Sequence, residues 1–329
     1  MLNKDAKLVE NPFDEKIEKK PTRDGFGLGT VAAGKADPNV VVLCADLSES
    51  TRAEWFQKEF PDRFIEVGVA EQNLAALAAG FAAVGKVPFI ASYAAFSPGR
   101  NYEQIRTTIA LNQQKVIVCG MHAGVSVGPD GATHQMLEDI GLMRMLPHMT
   151  VMVPADAEEA RKMVEAAALL PGPSYIRFGR SGTPVFTTPE TPFTVGKAQI
   201  LWRSERAKVG LVGVGSMAHV ALIAARALEA AGVPSIAMNL GTIKPIDTES
   251  LTALARETSR IVVIEEHQIA GGAGSAVLEA LSERAPVPVL RLGLRDEFGQ
   301  SGEPDELLAH YRLDAASVTH AVRDFVARK

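Results

Sequence analysis

Short apolar runs alternate along most of the chain with longer segments of mixed polarity. Val40–Cys44 is one such run, and unbroken apolar character of this length is typical of a strand buried on both faces of a parallel sheet. The segments between the runs carry apolar residues at helical spacing, as in the Ala-rich stretch over residues 70–84. This alternation predicts an α/β fold with mostly parallel sheets covered by helices.

In the first half of the chain, the pattern predicts strands at 40–44, 64–67, 87–92, 115–119, 150–153 and 174–178. Helices are predicted between them, at 23–35, 51–59, 70–84, 101–112 and 156–168. The loop over residues 120–133 is long and rich in glycine. Loops of this length in compact domains are usually functional.

Changes in composition divide the chain into four parts. Residues 1–21 alternate charges without a periodic apolar face, and we expect an arm that becomes ordered only against a partner. Residues 22–180 form the first α/β domain, and residues 181–196 form a linker rich in Thr, Pro and Gly. Residues 197–329 repeat the alternation, with strands near 198–202, 209–214, 235–239, 261–264 and 287–292. The sequence therefore predicts two doubly wound domains.

Composition narrows the class of protein. The 329 residues are 47% hydrophobic and 22% charged, as in a globular protein with a sizeable core. A net charge of −5 argues against nucleic acid or an acidic membrane as partner. Cys44 and Cys119 lie in apolar runs without metal-binding spacing, so buried reduced thiols are expected. Neither a signal peptide nor a membrane span is recognisable, and we expect a cytoplasmic protein.

Polar side chains follow the predicted strands of the first domain. In a parallel sheet the loops after the strands share one edge, where ligands bind. Aromatic rings beside a carboxylate suit a flat heteroaromatic ligand, and histidines with arginines suit a phosphorylated substrate that exchanges protons. The candidates are Asp46, Glu71, Tyr93, Phe96, Arg100, His122, Asp130, His134, Arg177 and Arg180.

Each candidate also has an ordinary structural explanation. Glu71 sits where an acid favours the first turn of a helix. Tyr93 and Phe96 taken alone are more often packing residues, and His134 taken alone is more often a structural hydrogen-bonding group. Their placement on one sheet edge favours a ligand site over these separate explanations.

Three motifs in this order resemble the pyrimidine-binding domain of transketolase, and deoxyxylulose phosphate synthase shares the pattern. They are Gly68-Val69-Ala70-Glu71-Gln72-Asn73, Tyr93-x-x-Phe96 and Asp130-Gly131-Ala132-Thr133-His134-Gln135. The second half, with Glu265-Glu266-His267 and Gly271-Gly272-Ala273-Gly274, resembles the transketolase C-terminal domain. The resemblance runs from about residue 22 onward.

The resemblance implies thiamine diphosphate and Mg²⁺ as cofactors. Full-length members hold Mg²⁺ and diphosphate on an N-terminal domain with a Gly-Asp-Gly run and a downstream Asn, and this chain contains no Gly-Asp-Gly. We therefore expect the C-terminal subunit of a split transketolase. A separate N-terminal subunit would supply the diphosphate site and the metal ligands, in an assembly of at least a heterotetramer.

The resemblance also assigns roles to the candidates. Glu71 is expected to bind N1′ of the aminopyrimidine and activate the cofactor, with Phe96 stacked on that ring, Tyr93 beside it and Asp46 near the thiazolium. On the substrate side, His134 is expected at the reacting carbonyl or hydroxyl and Asp130 at a sugar hydroxyl. Contacts with the substrate phosphate are expected from His122, Arg180 and Arg100.

By the resemblance, His122 matches a phosphate-contacting histidine of transketolase, which favours transfer of a two-carbon ketol unit between sugar phosphates over the synthase reaction. A deoxyxylulose phosphate synthase-like subunit, a 2-oxo acid dehydrogenase beta-like subunit and a non-catalytic regulatory subunit remain alternatives. Gly213-Val214-Gly215-Ser216-Met217-Ala218 imitates a dinucleotide fingerprint. The acid expected after the next strand is missing from Met238-Asn239-Leu240, so a tight strand-to-helix turn is the preferred interpretation.

Overall fold

The computed structural model describes residues 1–328, which form two α/β units. None of the helices in this part of the chain is long and apolar enough to cross a membrane. Cys44 and Cys119 are buried and free. The α/β class and the mostly parallel sheets predicted from the hydrophobic pattern are confirmed.

The first unit follows a short strand contributed by the arm and ends in a short strand of the linker. Its elements in chain order are β1 (Lys19–Lys20), α1 (Thr22–Ala36), β2 (Val40–Cys44), α2 (Ser48–Thr51), α3 (Ala53–Glu59), β3 (Phe64–Glu66), α4 (Glu71–Ala83), β4 (Val87–Tyr93), α5 (Tyr102–Gln104) with a π-helical continuation (Ile105–Ala110), β5 (Ile117–Met121), a 3₁₀ segment (Val125–Thr133), α6 (Asp139–Met145), β6 (Thr150–Met152), α7 (Ala157–Leu169), β7 (Ser174–Arg177) and β8 (Thr183–Pro184).

The second unit continues the alternation and ends in two helices. Its elements are β9 (Gln199–Arg203), β10 (Val209–Gly213), α8 (Met217–Ala230), β11 (Ser235–Asn239), β12 (Thr242–Lys244), α9 (Thr248–Thr258), β13 (Ile261–Gln268), α10 (Ala273–Ser282), β14 (Val289–Leu294), α11 (Pro304–His310) and α12 (Ala315–Ala327).

One strand of the second unit belongs to the sheet of the first unit. The sheet of the first unit has the order β12-β6-β7-β5-β4-β2-β3, and every neighbouring pair is parallel except β12 with β6. β12 comes from the second unit, whose own sheet has the order β14-β13-β10-β11-β9. An edge of the first sheet is therefore completed by residues that lie beyond the linker.

The hydrophobic core is also continuous between the units. Leu74 and Ile90 of the first unit belong to the same buried cluster as Met238 and Val263 of the second. Burial of apolar area stabilises a fold in proportion to the area removed from water, so these shared contacts hold the units together. The linker predicted at residues 181–196 joins two bodies that share a core.

The N-terminal arm lies against the second unit of the same chain. The ring of Phe13 packs edge-on against Trp202 at 6.1 Å, and the Arg226 guanidinium lies 4.1 Å from the Phe13 ring centre. Nε2 of His219 is 2.7 Å from the carbonyl oxygen of Pro12, and β1 pairs with β8. The expectation that the arm needs a partner to become ordered is therefore wrong. Its apolar anchors are too sparse to produce a periodic pattern.

Candidate active site

Glu71 is the first residue of α4 and follows β3 after a short turn. Its side chain is only 2% exposed, although acids in the first turn of a helix are normally in water. Asn101 Nδ2 donates a hydrogen bond to the carbonyl oxygen of Glu71 at 2.9 Å, which ties α4 to the loop after β4. The fold thus buries a carboxylate at the carboxyl edge of the sheet.

Arg100 is the one side chain bonded to this carboxylate within residues 1–328. Its Nη1 donates to Oε2 of Glu71 at 2.8 Å, and its guanidinium lies 4.7 Å from the centre of the Phe96 ring. Arg100 itself is half exposed. The predicted contact between Arg100 and a substrate phosphate stays a prediction, because in this structure the guanidinium is bound to Glu71.

The rings of Tyr93, Phe96, His122 and His134 form a cluster beside Arg100. Tyr93 and His122 stack with their ring centres 4.0 Å apart, and Tyr93 and Phe96 are nearly parallel with centres 6.0 Å apart. His134 presents an edge contact to Phe96 at 5.5 Å and to Tyr93 at 6.0 Å. The structure therefore brings together candidates predicted from three separate segments of the sequence.

His122 is held in a neutral form with a defined tautomer. Nη1 of Arg23 lies 2.9 Å from Nε2 of His122, and since a guanidinium can only donate, Nε2 accepts and the ring proton is on Nδ1. Burial, followed by the cationic charges of Arg23 and Arg180, lowers the pKa of His122 from 6.5 to about 3. Within residues 1–328, the buried Nδ1 has no hydrogen-bond partner.

Arg23 was missed by the sequence analysis. It lies in the first turn of α1, and its Nη1 also donates to the carbonyl oxygen of Ser50 at 2.7 Å. The other candidates follow strands, whereas Arg23 reaches the same edge from the start of a helix. The signal that could have found it is its place directly after Pro21 and Thr22, where the helix begins.

The remaining candidates differ in their surroundings. Arg180 is partly buried and its Nη1 donates to the carbonyl oxygen of Val127 at 2.8 Å, which places it beside the 3₁₀ segment. Asp46 and Asp130 are exposed, and no side-chain hydrogen bond within residues 1–328 links either of them to the aromatic cluster. Their predicted roles stay predictions.

Arg177 is a structural residue and lies outside the cluster. Its side chain is buried, Nε donates to Oδ2 of Asp139 at 2.9 Å, and Nη2 donates to the carbonyl oxygen of Glu266 at 2.7 Å. Tyr175 donates its hydroxyl to the same oxygen of Asp139 at 2.7 Å. The candidate role of Arg177 at the sheet edge is therefore wrong, because its guanidinium is used in a buried ion pair with Asp139 and in a hydrogen bond to the second unit.

The glycine turn at residues 213–218 faces the first unit. Val214, Gly215 and Ser216 line a cavity of only about 30 Å³ between the units. A dinucleotide needs far more room than this. The turn is therefore a packing feature, as preferred from the sequence.

Comparison with known proteins agrees with this geometry. Residues 18–185 match the model of the transketolase pyrimidine binding domain, and residues 196–318 match that of the transketolase C-terminal domain. The fold and the site thus define a pyrimidine-binding half joined to its C-terminal domain.

Similar proteins cover nearly the whole chain. The putative transketolase C-terminal section of Methanocaldococcus jannaschii is 39% identical over 93% of this chain and 96% of its own length. The 6-deoxy-6-sulfo-D-fructose transketolase subunit SqwH of Clostridium sp. is 35% identical over 98% and 99%. A solved structure described as a split gene transketolase, inactive beta4 tetramer, is 44% identical with a TM-score of 0.86, over 92% and 97%. The chain belongs to the transketolase family.

Proposed function

We propose that this chain is the pyrimidine-binding subunit of a split, thiamine diphosphate-dependent transketolase that moves a two-carbon ketol unit between sugar phosphates. The observation that carries the proposal is the buried carboxylate of Glu71 beside the rings of Phe96, Tyr93, His122 and His134. Relatives described as a C-terminal section and as a subunit support the split arrangement.

The residues of this site fit an aminopyrimidine. Arg100 occupies only Oε2 of Glu71, and within residues 1–328 the other carboxylate oxygen accepts no hydrogen bond. The ring of Phe96 offers a flat face beside that carboxylate. We infer that Glu71 holds the proton at the pyrimidine nitrogen and that Phe96 and Tyr93 orient the ring. Thiamine diphosphate, when bound, supplies the carbon nucleophile that breaks and forms carbon–carbon bonds next to a carbonyl.

The other side of the cluster suits an anionic sugar. Arg23, Arg180 and the Nδ1–H of His122 converge from α1, the β7 exit and the β5 exit. Such donors bind phosphate by charge-assisted hydrogen bonds. His134 lies between these donors and Phe96 and is placed to exchange a proton with a substrate hydroxyl. Asp130, on the same loop, is proposed to select a sugar hydroxyl.

Mg²⁺ and the diphosphate are proposed to be held by a separate subunit. Among residues 1–328, no group of three or more His, Cys, Asp or Glu side chains is placed to bind a metal ion. Mg²⁺ prefers oxygen ligands, such as the carboxylates of Asp and Glu. The partner therefore supplies the diphosphate half of the site, and this chain supplies the acid that activates the cofactor.

Self-association is proposed through the outer side of α4. Asn73, Ala76, Leu77, Gly80, Phe81 and Val84 line an open groove of about 420 Å³, which we call the α4 face. Leu77 is 39% exposed and Val84 is 76% exposed. An apolar patch of this kind on a helix marks an interaction site. A second copy of this chain on the α4 face, with two partner subunits, gives the proposed heterotetramer.

The test of function is a transfer assay on the reconstituted complex. The chain is co-expressed with its N-terminal partner, and ketose phosphate donors and aldose phosphate acceptors are supplied with thiamine diphosphate and Mg²⁺. We expect a ketol product only when both subunits are present. Pyruvate as donor tests the synthase-like alternative, and a complex that binds cofactor but converts no sugar phosphate would show a non-catalytic subunit.

Replacement of Glu71 tests the acid directly. Because glutamine cannot exchange the proton, Glu71→Gln should reduce turnover by about 10²–10⁴-fold, the usual contribution of a positioned acid or base. Folding should persist, because glutamine fills the same volume. Steady-state rates at saturating cofactor give the measurement. Glu283→Gln, a change of an exposed glutamate at the end of α10, is the matched control, and wild-type turnover by Glu71→Gln would refute the assignment.

A further inference from the structure

The 3₁₀ segment Val125–Thr133 leads to His134 and includes Asp130, yet its contacts are largely with the second unit. Its backbone has non-helical angles at Gly128 and Gly131, so the segment is two short turns joined by kinks. Irregular backbone of this kind keeps one shape only when neighbouring groups hold it. The neighbours here are Ser301 and Pro304 of the second unit, together with Arg180 and Ser181, which donate to the carbonyl oxygens of Val127 and Ser126.

Glu266 of β13 is the central anchor of this segment. Its Oε2 accepts a hydrogen bond from the backbone N–H of Ser126 at 3.0 Å, and its Oε1 accepts one from the Ser216 hydroxyl at 2.6 Å. Its carbonyl oxygen accepts from Nη2 of Arg177 at 2.7 Å. Glu266 is 5% exposed, so these bonds are shielded from water and strengthened.

Gly124 shows how closely the two units approach at this point. Its φ is 92°, and a Cβ added there would lie 2.6 Å from Oε2 of Glu266. Only glycine allows both the left-handed backbone and the close approach. The segment therefore leaves β5 and turns directly over the Glu266 carboxylate.

Gln135 gives a second, independent anchor at the far end of the segment. Its buried Nε2 donates to the carbonyl oxygen of Gln300 at 3.0 Å and to that of Val125 at 3.1 Å. Gln300 belongs to the loop between β14 and α11. Both ends of the segment are thus fixed to the second unit, on either side of Asp130 and His134.

We propose that Glu266 is a positioning residue for substrate recognition, through which the second unit sets the conformation of the segment that carries Asp130 and His134. Its carboxylate holds the Ser126 amide and so fixes the start of the segment. The segment with Asp130 and His134 is held in place by the second unit, whereas Glu71 and Phe96 depend on the first. The catalytic part of this inference rests on the proposed function; the conformational part does not.

Three variants separate this role from general stability. Glu266→Ala leaves the Ser126 N–H buried without an acceptor. Glu266→Gln keeps both bonds, because its amide oxygen accepts from Ser126 and its NH₂ donates to the Ser216 oxygen. Glu265→Ala is the matched control: this neighbouring glutamate is 1% exposed and accepts from the N–H groups of Ala273 and Gly274, within the second unit only.

Hydrogen exchange of the full chain measures the segment without any assay of activity. For Glu266→Ala we expect about tenfold faster exchange in peptides over residues 122–137, as follows from an unpaired buried donor. Peptides over residues 70–100 should be unchanged. Glu266→Gln and Glu265→Ala should leave residues 122–137 as in the wild type. Equal loosening in Glu265→Ala, or none in Glu266→Ala, would overturn the proposal.

The reconstituted complex gives the second readout. Glu266→Ala should raise KM for the ketose phosphate by about tenfold or more, as loss of one buried hydrogen bond does, with affinity for thiamine diphosphate unchanged by titration. A parallel loss of cofactor affinity would show a general defect and overturn the positioning role. If Glu266→Ala does not fold, Ser216→Ala takes its place, because it removes the hydroxyl that donates to the Glu266 carboxylate. It should produce a smaller increase in hydrogen exchange over residues 122–137. No increase in that variant would count against the proposal.

A failure of the proposed function can be distinguished from a failure of the proposed role of Glu266. If the wild-type complex transfers no ketol unit, the function is wrong, while hydrogen exchange on the chain still decides whether Glu266 fixes the segment.

Discussion

His122 is a histidine that the fold keeps neutral beside two arginines. It is stacked on Tyr93, bonded to Arg23 and almost fully buried. A protonated ring there would lie beside two guanidinium groups without solvent to screen them. The neutral ring instead provides one acceptor to Arg23 and one free donor. The proposed binding of an anion at this point would use a hydrogen bond from His122 and charge from the arginines.

The free energy of unfolding should depend on pH because His122 is neutral in the folded chain. The unfolded pKa of His122 is near 6.5 and its folded pKa is about 3, so between these values the unfolded chain binds more protons. The free energy of unfolding should therefore fall as pH falls through this window, by up to about 1.4 kcal/mol per pH unit from this residue. His122→Asn should flatten that slope, since asparagine tolerates the left-handed backbone at φ 54°.

Denaturant unfolding between pH 5 and 8 provides the measurement. The control is His148→Asn, because His148 is also left-handed, with φ 65°, but exposed. Its replacement should leave the pH dependence of the wild type intact. Equal slopes in the wild type and His122→Asn would show that burial does not lower the His122 pKa as stated.

At the residue scale, the sequence indicates which side chains follow a strand, but it does not indicate the direction in which each side chain points. Arg177 and Arg180 look alike in the sequence, yet Arg177 is buried against Asp139 and Arg180 faces His122. Strands covered on both faces have no polar alternation, so the pattern carries no information about direction. Glu71 was found because its turn and helix start are local features, whereas its ion pair with Arg100 depends on the tertiary fold.

At the scale of elements, the contact between α1 and α7 decides where Arg23 lies. A Cβ added at Gly25 would be 2.2 Å from the carbonyl oxygen of Ala157, and one added at Gly29 would be 2.7 Å from Val164. The glycines let the helices touch along their backbones, as small residues do at close helix contacts. Arg23 lies two residues before Gly25 in the first turn of α1, so the contact fixes its position.

Gly25→Ala should force the two helices apart. Overpacking of a tight contact costs about 1–3 kcal/mol, and the melting temperature should fall accordingly. Gly172→Ala is the control, since its added Cβ would meet only the His148 carbonyl oxygen at 3.9 Å. Calorimetry on both variants tests the claim, and a melting temperature unchanged by Gly25→Ala would contradict it.

Most elements were predictable and a few were not. The predicted strands over 40–44 and 235–239 coincide with β2 and β11, because continuous apolar runs mark strands buried on both faces. The strand predicted at 115–119 lies at Ile117–Met121, two residues later, which places His122 directly at its end. β12 was missed, since a three-residue antiparallel edge strand has no pattern that separates it from a loop.

At the scale of the whole molecule, the α4 face is an apolar surface beside the proposed cofactor acid. Glu71 is at the start of α4, and the groove from Asn73 to Val84 continues along the same helix. Whatever covers this groove also stabilises the helix that presents Glu71. Assembly and activation are thus proposed to share one element.

Leu77→Glu should prevent self-association of the chain. A charge in an apolar contact remains unpaired and costs more than the contact gains, so sedimentation should show a shift towards the monomer. Leu278→Glu is the matched control, because Leu278 is 37% exposed on α10 of the second unit and lies outside the α4 face. An assembly size that does not respond to Leu77→Glu would exclude the α4 face as the contact.

The strand β12 limits where the gene for this chain can be divided or recombined. The two family matches meet near residue 190, yet β12, at residues 242–244, completes the sheet of the first unit. A cut or a recombination at the family boundary would leave β6 as a bare sheet edge, open to pairing with other chains. An exchange of second units between relatives would give the first sheet a foreign strand. The pair of units is therefore expected to pass between genomes as one piece.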